Sequence, residues 1–143
     1  MPALNPYLVF NGNAEEAITF YQSVFGGEAT IVRFGDMGGD TPGDLPPEIA
    51  NRVANAQLPL SATNILMVSD TPPGNDIDNS NPGFAVQVEV ESAAEAERLF
   101  NEFAPGGTVT MPLGKVEWAD AFAMVTDKFS VPWMINYTGS ATM

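Results

Sequence analysis

The chain has 143 residues, 45% of them apolar, with neither cysteine nor histidine. A chain of that length, read as one domain, buries about two thirds of its unfolded surface without disulfides, and the absence of cysteine fits a reduced, cytoplasmic compartment. Eighteen acidic residues against Arg33, Arg52, Arg98, Lys115 and Lys128 leave a net charge of −13; five scattered bases cannot form a phosphate-tracking surface, which excludes nucleic acid as a partner.

No window reaches the ~18 uninterrupted apolar residues of a membrane span, and the first ten residues lack the basic and apolar regions of a signal peptide. The acidity has two readings, solubility or a field that gathers cationic ligands.

In chain order, an apolar run at residues 7–10 is followed by Asn13, a candidate N-cap, and by a helix whose 3.6-residue spacing buries Ala14, Ala17, Ile18, Tyr21 and Val24. Gly26-Gly27 stop that helix. Strands are expected at 28–34, 53–60 and 63–69, the last two joined by a tight hairpin at Ser61-Ala62. Between the first two lies a Gly-, Pro- and Asp-rich flap, residues 35–52, with one helical turn near Pro47–Ala50; residues 70–83 form a crossover.

The pattern then repeats. Shifted by 79 residues, Val9 falls on Val88, Ala14 on Ala93, Ala17 on Ala96, Tyr21 on Phe100 and Gly27 on Gly106. The second copy has a strand at 85–90, a capping box at Ser92 and Glu95, a helix burying Ala93, Ala96, Leu99, Phe100 and Phe103, and strands at 108–113, 119–126 and 131–137. Two βαβββ units, about 1–69 and 84–139, are the expected organisation.

Five motifs stand in order along this plan: LNPYLVF from Leu4, AITFYQ from Ala17, FGDM from Phe34, LMVSDTPPG from Leu66 and VTDKFSVPWMIN from Val125. In the last, Pro132 fixes its own φ and lacks a donor, which suits the first residue of a strand. Together they resemble the PhnB-like family of the vicinal oxygen chelate superfamily, which includes glyoxalases, bleomycin-resistance proteins and dioxygenases. The resemblance implies an α+β fold of two βαβββ modules, each curling four strands into a half-open cup, with a cleft between the cups and assembly as a homodimer. Ser130 departs from the Gly usual in the family, although L residues tolerate φ > 0 poorly.

Metal-using relatives hold a divalent ion with His and Glu from the strands. The corresponding positions here fall on Pro6, Ala85, Leu66 or Met67, and Met134, which offer a hard or borderline cation no ligand. The expectation is no metal and no cofactor. An atypical carboxylate site at Asp36, Asp40 and Asp44 is the alternative, set against a solvated loop of turn-forming aspartates, the same reading that Asp76 and Asp78 receive.

The candidate ligand-binding residues are Leu8, Phe10, Gln87, Glu89, Trp118, Asp120 and Met134. Strand alternation, with Val86, Val88 and Val90 turned to the helix, leaves Gln87 and Glu89 facing the cleft; Pro6, Leu8 and Phe10 are expected on its opposite wall. In an apolar cleft the Glu89 carboxyl would titrate high and could serve as an acid or base, a reading set against, and second to, a partly exposed residue at the strand end. Trp118, Phe122, Trp133 and Met134 line a cleft or pack a core. Asp120 beside Trp118 can meet a cation by charge while the ring stacks on it. Asp70, at a strand end, is read as capping the crossover turn.

Without Cys or His no Ser-His or Cys-His pair can form. Some family members carry a methyltransferase name, but no Gly-rich strand-to-helix turn for a nucleoside cofactor is present, and a cleft poor in Arg and Lys suits a phosphonate badly. Two functions remain: a metal-free module binding a small amphipathic or cationic organic ligand, or a lyase, isomerase or dioxygenase-like enzyme with carboxylate metal ligands.

Overall fold

Period-two alternation in short strands, set against 3.6-residue spacing in the helix that follows, lays one helix on one face of each of two sheets. The structure, a computed structural model, describes residues 4–36, 46–72, 76–78 and 82–141. Parts of the expected flap and crossover, residues 37–45, 73–75 and 79–81, lie outside the described residues. The chain divides into two units, Met1–Ile77 and Asp78–Met143.

The first unit runs β1 (Tyr7–Phe10), α1 (Ala14–Phe25), β2 (Thr30–Arg33), a 3-10 turn (Phe34–Asp36), α2 (Pro47–Ala50), β3 (Val53–Pro59) and β4 (Ile65–Asp70). Its sheet order is β1-β4-β3-β2, with β1 parallel to β4 and the other pairs antiparallel. Helix α1 buries the five residues its spacing predicts. They rest on a sheet face of Leu8, Phe10, Ala56, Leu58, Leu66 and Val68, none more than 6% exposed. The β3–β4 connection is wider than a two-residue hairpin: the Leu60 and Ser61 N–H groups both donate to the Asn64 carbonyl.

The second unit runs β5 (Val86–Glu89), α3 (Ala93–Phe103), β6 (Thr108–Val116), β7 (Ala119–Thr126) and β8 (Pro132–Tyr137), in sheet order β5-β8-β7-β6. Val86 and Val88 lie in parallel register with Trp133 and Ile135. Helix α3 covers this face with Ala96, Leu99 and Phe103, and the Phe103 and Trp133 rings stack at 4.9 Å and 16°. Phe100 is half-buried and Ala93 is exposed.

The two helices start differently. Ser92 takes the extended conformation of a cap and its Oγ accepts from the Glu95 N–H at 3.0 Å; Glu95 Oε1 accepts from Glu91 N–H rather than from Ser92 itself. Asn13 makes no such bond, because its ψ of 23° turns it out of the capping conformation. Its role falls to Asp70 at the end of β4. Asp70 Oδ1 accepts from Gly12 N–H at 2.8 Å and Ala14 N–H at 2.9 Å, and Oδ2 accepts from Val53 N–H at 2.9 Å. A residue expected to cap the crossover therefore caps α1 and ties it to β3 and β4, its negative charge favourable at a helix N-terminus.

In the second unit another buried carboxylate, Asp127, organises the β7–β8 turn. It accepts from Phe129 N–H, Val131 N–H and Trp133 Nε1–H. Ser130 in that turn has φ of 71°, the one positive φ outside glycine among the described residues. The family's preference for Gly at this place is thus a preference for a left-handed residue.

Two stability outcomes follow from these carboxylates. Asp70→Asn places an NH2 group against buried N–H donors and costs about 3 kcal/mol in urea unfolding, whereas exposed Asp76→Asn costs less than about 0.5. Ser130→Gly relieves the left-handed strain and raises stability by up to about 1 kcal/mol; a loss instead would show that the serine side chain holds the turn.

Candidate functional site

Each sheet has one face under its helix and one turned away from it, and cross-strand register assigns every candidate to a face. In the first unit the open face carries Tyr7, Val9, Asn55, Gln57, Met67 and Ser69. Gln57 Nε2 donates to Asn55 Oδ1 at 3.1 Å, and Asn55 Nδ2 reaches Tyr7 Oη at 3.5 Å. Leu8 and Phe10 are not on this face. They lie on the opposite side of β1 in the α1 core, at 6% and 2% exposure, so their assignment as ligand-lining residues is corrected.

The cause is a single residue of chain. Phe10 is four positions before the first residue of α1, but Val90, buried like Phe10, is only three before α3. The helices superpose on a shift of 79, as Val24 on Phe103; the strands superpose on 80, as Leu8 on Val88. Carrying the helix shift into the strand flips every side chain to the other face.

In the second unit the open face carries Gln87, Glu89, Phe122, Met124, Met134 and Asn136. Gln87 pairs with Met134, Met124 with Met134, and Asn136 with both Glu89 and Phe122. Gln87 and Glu89 are exposed, Met124 and Met134 half-buried, Phe122 buried. Trp118, in the turn before β7, is 39% exposed and sets its ring edge-on to Phe122 at 5.2 Å. Five of the candidates, Gln87, Glu89, Trp118, Asp120 and Met134, thus share one face, whereas Trp133 belongs to the α3 core.

Glu89 is more constrained than its sequence setting implies. Its Oε1 accepts from Asn136 Nδ2 at 2.7 Å and Thr138 Oγ1 at 3.3 Å, and its Oε2 accepts from Thr138 N–H at 3.0 Å. Desolvation raises its pKa, but the bonds from Asn136 and Thr138 outweigh that and hold the carboxyl below the usual range. The acid-or-base reading is therefore corrected to a carboxylate, on a side chain that is exposed at the strand end. Asp120 is likewise engaged, its Oδ2 accepting from Ser140 N–H and Oγ at 3.0 and 3.1 Å, and these bonds lower its pKa. A Cβ at residue 139 would collide with this carboxylate, so Gly139 is needed for the closure of the C-terminal turn.

Asn136 closes a sequence motif without any evident role there; alternation from Met134 along β8 is the signal that places it on the open face. The polar pair Tyr7 and Asn55 has no such signal, because it depends on β1, β4 and β3 lying side by side.

Of the positions the resemblance assigns to metal ligands, Met67 and Met134 lie on the open faces, cross-strand from Tyr7 and Gln87. Phenol, amide and two thioethers do not fit a hard or borderline cation. Among the described residues no three His, Cys, Asp or Glu side chains gather as a metal group. Asp36 Oδ2 accepts from Arg33 N–H at 3.2 Å, while Asp40 and Asp44 lie outside the described residues.

A group whose folded pKa is depressed stabilises the fold above its unfolded pKa and loses that contribution as pH falls through the folded value. Glu89 is such a group, so its contribution is complete at neutral pH and disappears in acid below the ordinary value of 4.5. Carboxyl NMR titration of Asn136→Leu should show Glu89 titrating higher than in the parent; an unchanged midpoint would remove Asn136 as a cause.

A family model described as 3-demethylubiquinone-9 3-methyltransferase matches residues 2–136. The chain is 34% identical over 140 residues to Protein YjdN of Escherichia coli (strain K12), covering 93% of each. It superposes on protein PA1353 from Pseudomonas aeruginosa with a TM-score of 0.82 at 39% identity, over 96% of this chain and 98% of that one. On a putative 3-demethylubiquinone-9 3-methyltransferase, PhnB protein, from Bacillus cereus, the TM-score is 0.69 at 26% identity, over 95% and 99%. Two solved glyoxalase/bleomycin resistance proteins at 15% and 14% identity share its fold, with TM-scores of 0.67 and 0.62. With its two βαβββ sheets and a match over almost its whole length, the chain belongs to the PhnB-like family, described as 3-demethylubiquinone-9 3-methyltransferase, and has the glyoxalase/bleomycin resistance/dioxygenase fold.

Proposed function

We propose that this protein is a metal-free binding module for a small amphipathic organic cation, held on the open face of the second sheet. The observation that carries the reading is the juxtaposition of an aromatic and thioether shelf with an ionised carboxylate. Trp118 lies edge-on to Phe122, Met124 and Met134 continue the shelf, and Glu89 is cross-strand from Asn136 beside Phe122. Aromatic faces attract cations and apolar bodies alike, and a net charge of −13 raises the local concentration of cations.

Gln87 adds a polar group at the edge of the shelf, and Asp120 adds charge while latching the C-terminal turn. The reading includes a homodimer, the commonest closed assembly of soluble proteins. It also includes a cytoplasmic location; among the described residues no helix is long and apolar enough to cross a membrane. The alternative, an enzyme with a carboxylate metal site, needs a set of ligands that the described residues do not bring together.

Native mass spectrometry of untagged protein tests the reading directly. The expected result is a dimer mass with an organic adduct, lost in Trp118→Ala, whose affinity falls about tenfold with little change in melting temperature, since removing a cation–π and stacking contact costs about 1–2 kcal/mol. One stoichiometric metal ion per chain with no organic adduct would overturn it in favour of the enzyme.

A further inference from the structure

We infer that Asn136 is the recognition residue of this face, accepting a hydrogen bond from an N–H group of the bound cation. The inference rests on the binding reading above and names the group the ligand must carry: a protonated amine or amidine, not a fully alkylated ammonium.

Asn136 is only 4% exposed. Both donors of its amide are used, Nδ2 giving bonds to Glu89 Oε1 at 2.7 Å and Thr138 Oγ1 at 3.1 Å. Its Oδ1 is buried without a hydrogen-bond partner, and it is the one such side-chain atom among the described residues. An orphaned buried acceptor costs about 1–3 kcal/mol, so it persists where function or geometry requires it.

Geometry supplies part of the reason. Turning the amide over would set its oxygen against the Glu89 carboxylate, an acceptor against an acceptor, and leave an unpaired N–H where the bare oxygen now lies. Glu89 therefore acts as a positioning residue: by accepting from Nδ2 it points Oδ1 away from itself. The carboxylate has about four acceptor sites and uses three, two on Oε1 and one on Oε2, which leaves one on Oε2. The face thus holds two acceptors, a charged and exposed one on Glu89 and a neutral, buried one on Asn136, in the strands that carry Phe122 and the two methionines or lie beside them. A ligand whose polar end is itself an acceptor, such as a carboxylate or phosphate, would meet lone pairs and negative charge. A primary ammonium or an amidinium, with several N–H donors and a positive charge, complements both acceptors.

The probes are benzylammonium and benzyltrimethylammonium, which share ring and charge while the second has no N–H. The full chain is labelled with nitrogen-15 and titrated with each. Benzylammonium should shift the Asn136 side-chain amide and the Trp118 indole signals and bind at least about tenfold tighter than the trimethyl probe, a difference of about 1.4 kcal/mol. Asn136→Leu should abolish that preference, the two probes then binding within about twofold of each other. Should Asn136→Leu fail to fold, Glu89→Gln carries the test. The side-chain amide introduced by that substitution can donate as well as accept, so the Asn136 amide is free to turn and the preference should fall to within about threefold.

Equal affinities in the parent, or a preference that survives both variants, would overturn the inference while leaving the binding reading intact. If neither probe moves a signal of this face up to about 10 mM, weaker than any specific recognition, the binding reading itself fails and the inference with it.

Discussion

One buried carboxylate holds the first unit in register. Asp70 ends β4 and accepts three backbone N–H groups, two from the start of α1 and one from the start of β3. Each of those donors would otherwise be an orphan at an element terminus, and an unmet donor costs about as much as several exposed contacts contribute. Because one side chain serves three elements, helix and sheet cannot drift independently, and the phase of β1 follows: Leu8 and Phe10 must face α1, and Tyr7 and Val9 must face away.

The second unit solves the same problem with different parts. Its helix is capped locally by Ser92, so no distant carboxylate is needed there, and the buried aspartate moves to the β7–β8 turn, where Asp127 fixes the Trp133 indole against Phe103. That turn delivers β8 with its odd-numbered residues in the core and Met134 and Asn136 on the open face. Core and candidate site are two sides of one strand, which is why a motif recognisable as a signature carries both.

The open face of the second unit also shows how a polar cluster changes character on folding. A glutamate near an apolar surface is ordinarily pushed toward its neutral form. Here Asn136 and Thr138 supply enough donors to keep Glu89 ionised. The arrangement suits charge recognition and orientation rather than proton transfer at neutral pH, and it fits a chain without histidine or cysteine.

Much of the fold was legible in the residues. The helical spacing of α1, the cap at Ser92, the turn at Pro47–Ala50 and the strand-opening Pro132 are local signals, and each produced the element expected of it. The repeat made the architecture legible as well, since each copy of strand, capped helix and three strands covers one apolar face of its own sheet with its own helix. The grouping of the candidate residues was legible in part: Gln87, Glu89, Trp118, Asp120 and Met134 do share a face, while Leu8 and Phe10 were lost to a one-residue difference between the two βα connections. What the sequence by itself determined was the set of elements, their order and the absence of imidazole and thiolate ligands, because those depend on residue type and local spacing. Tertiary structure alone decided that Asp70 would cap a helix 56 residues away, that Glu89 would stay charged and that Asn136 would keep a bare oxygen, because each depends on which strands lie side by side.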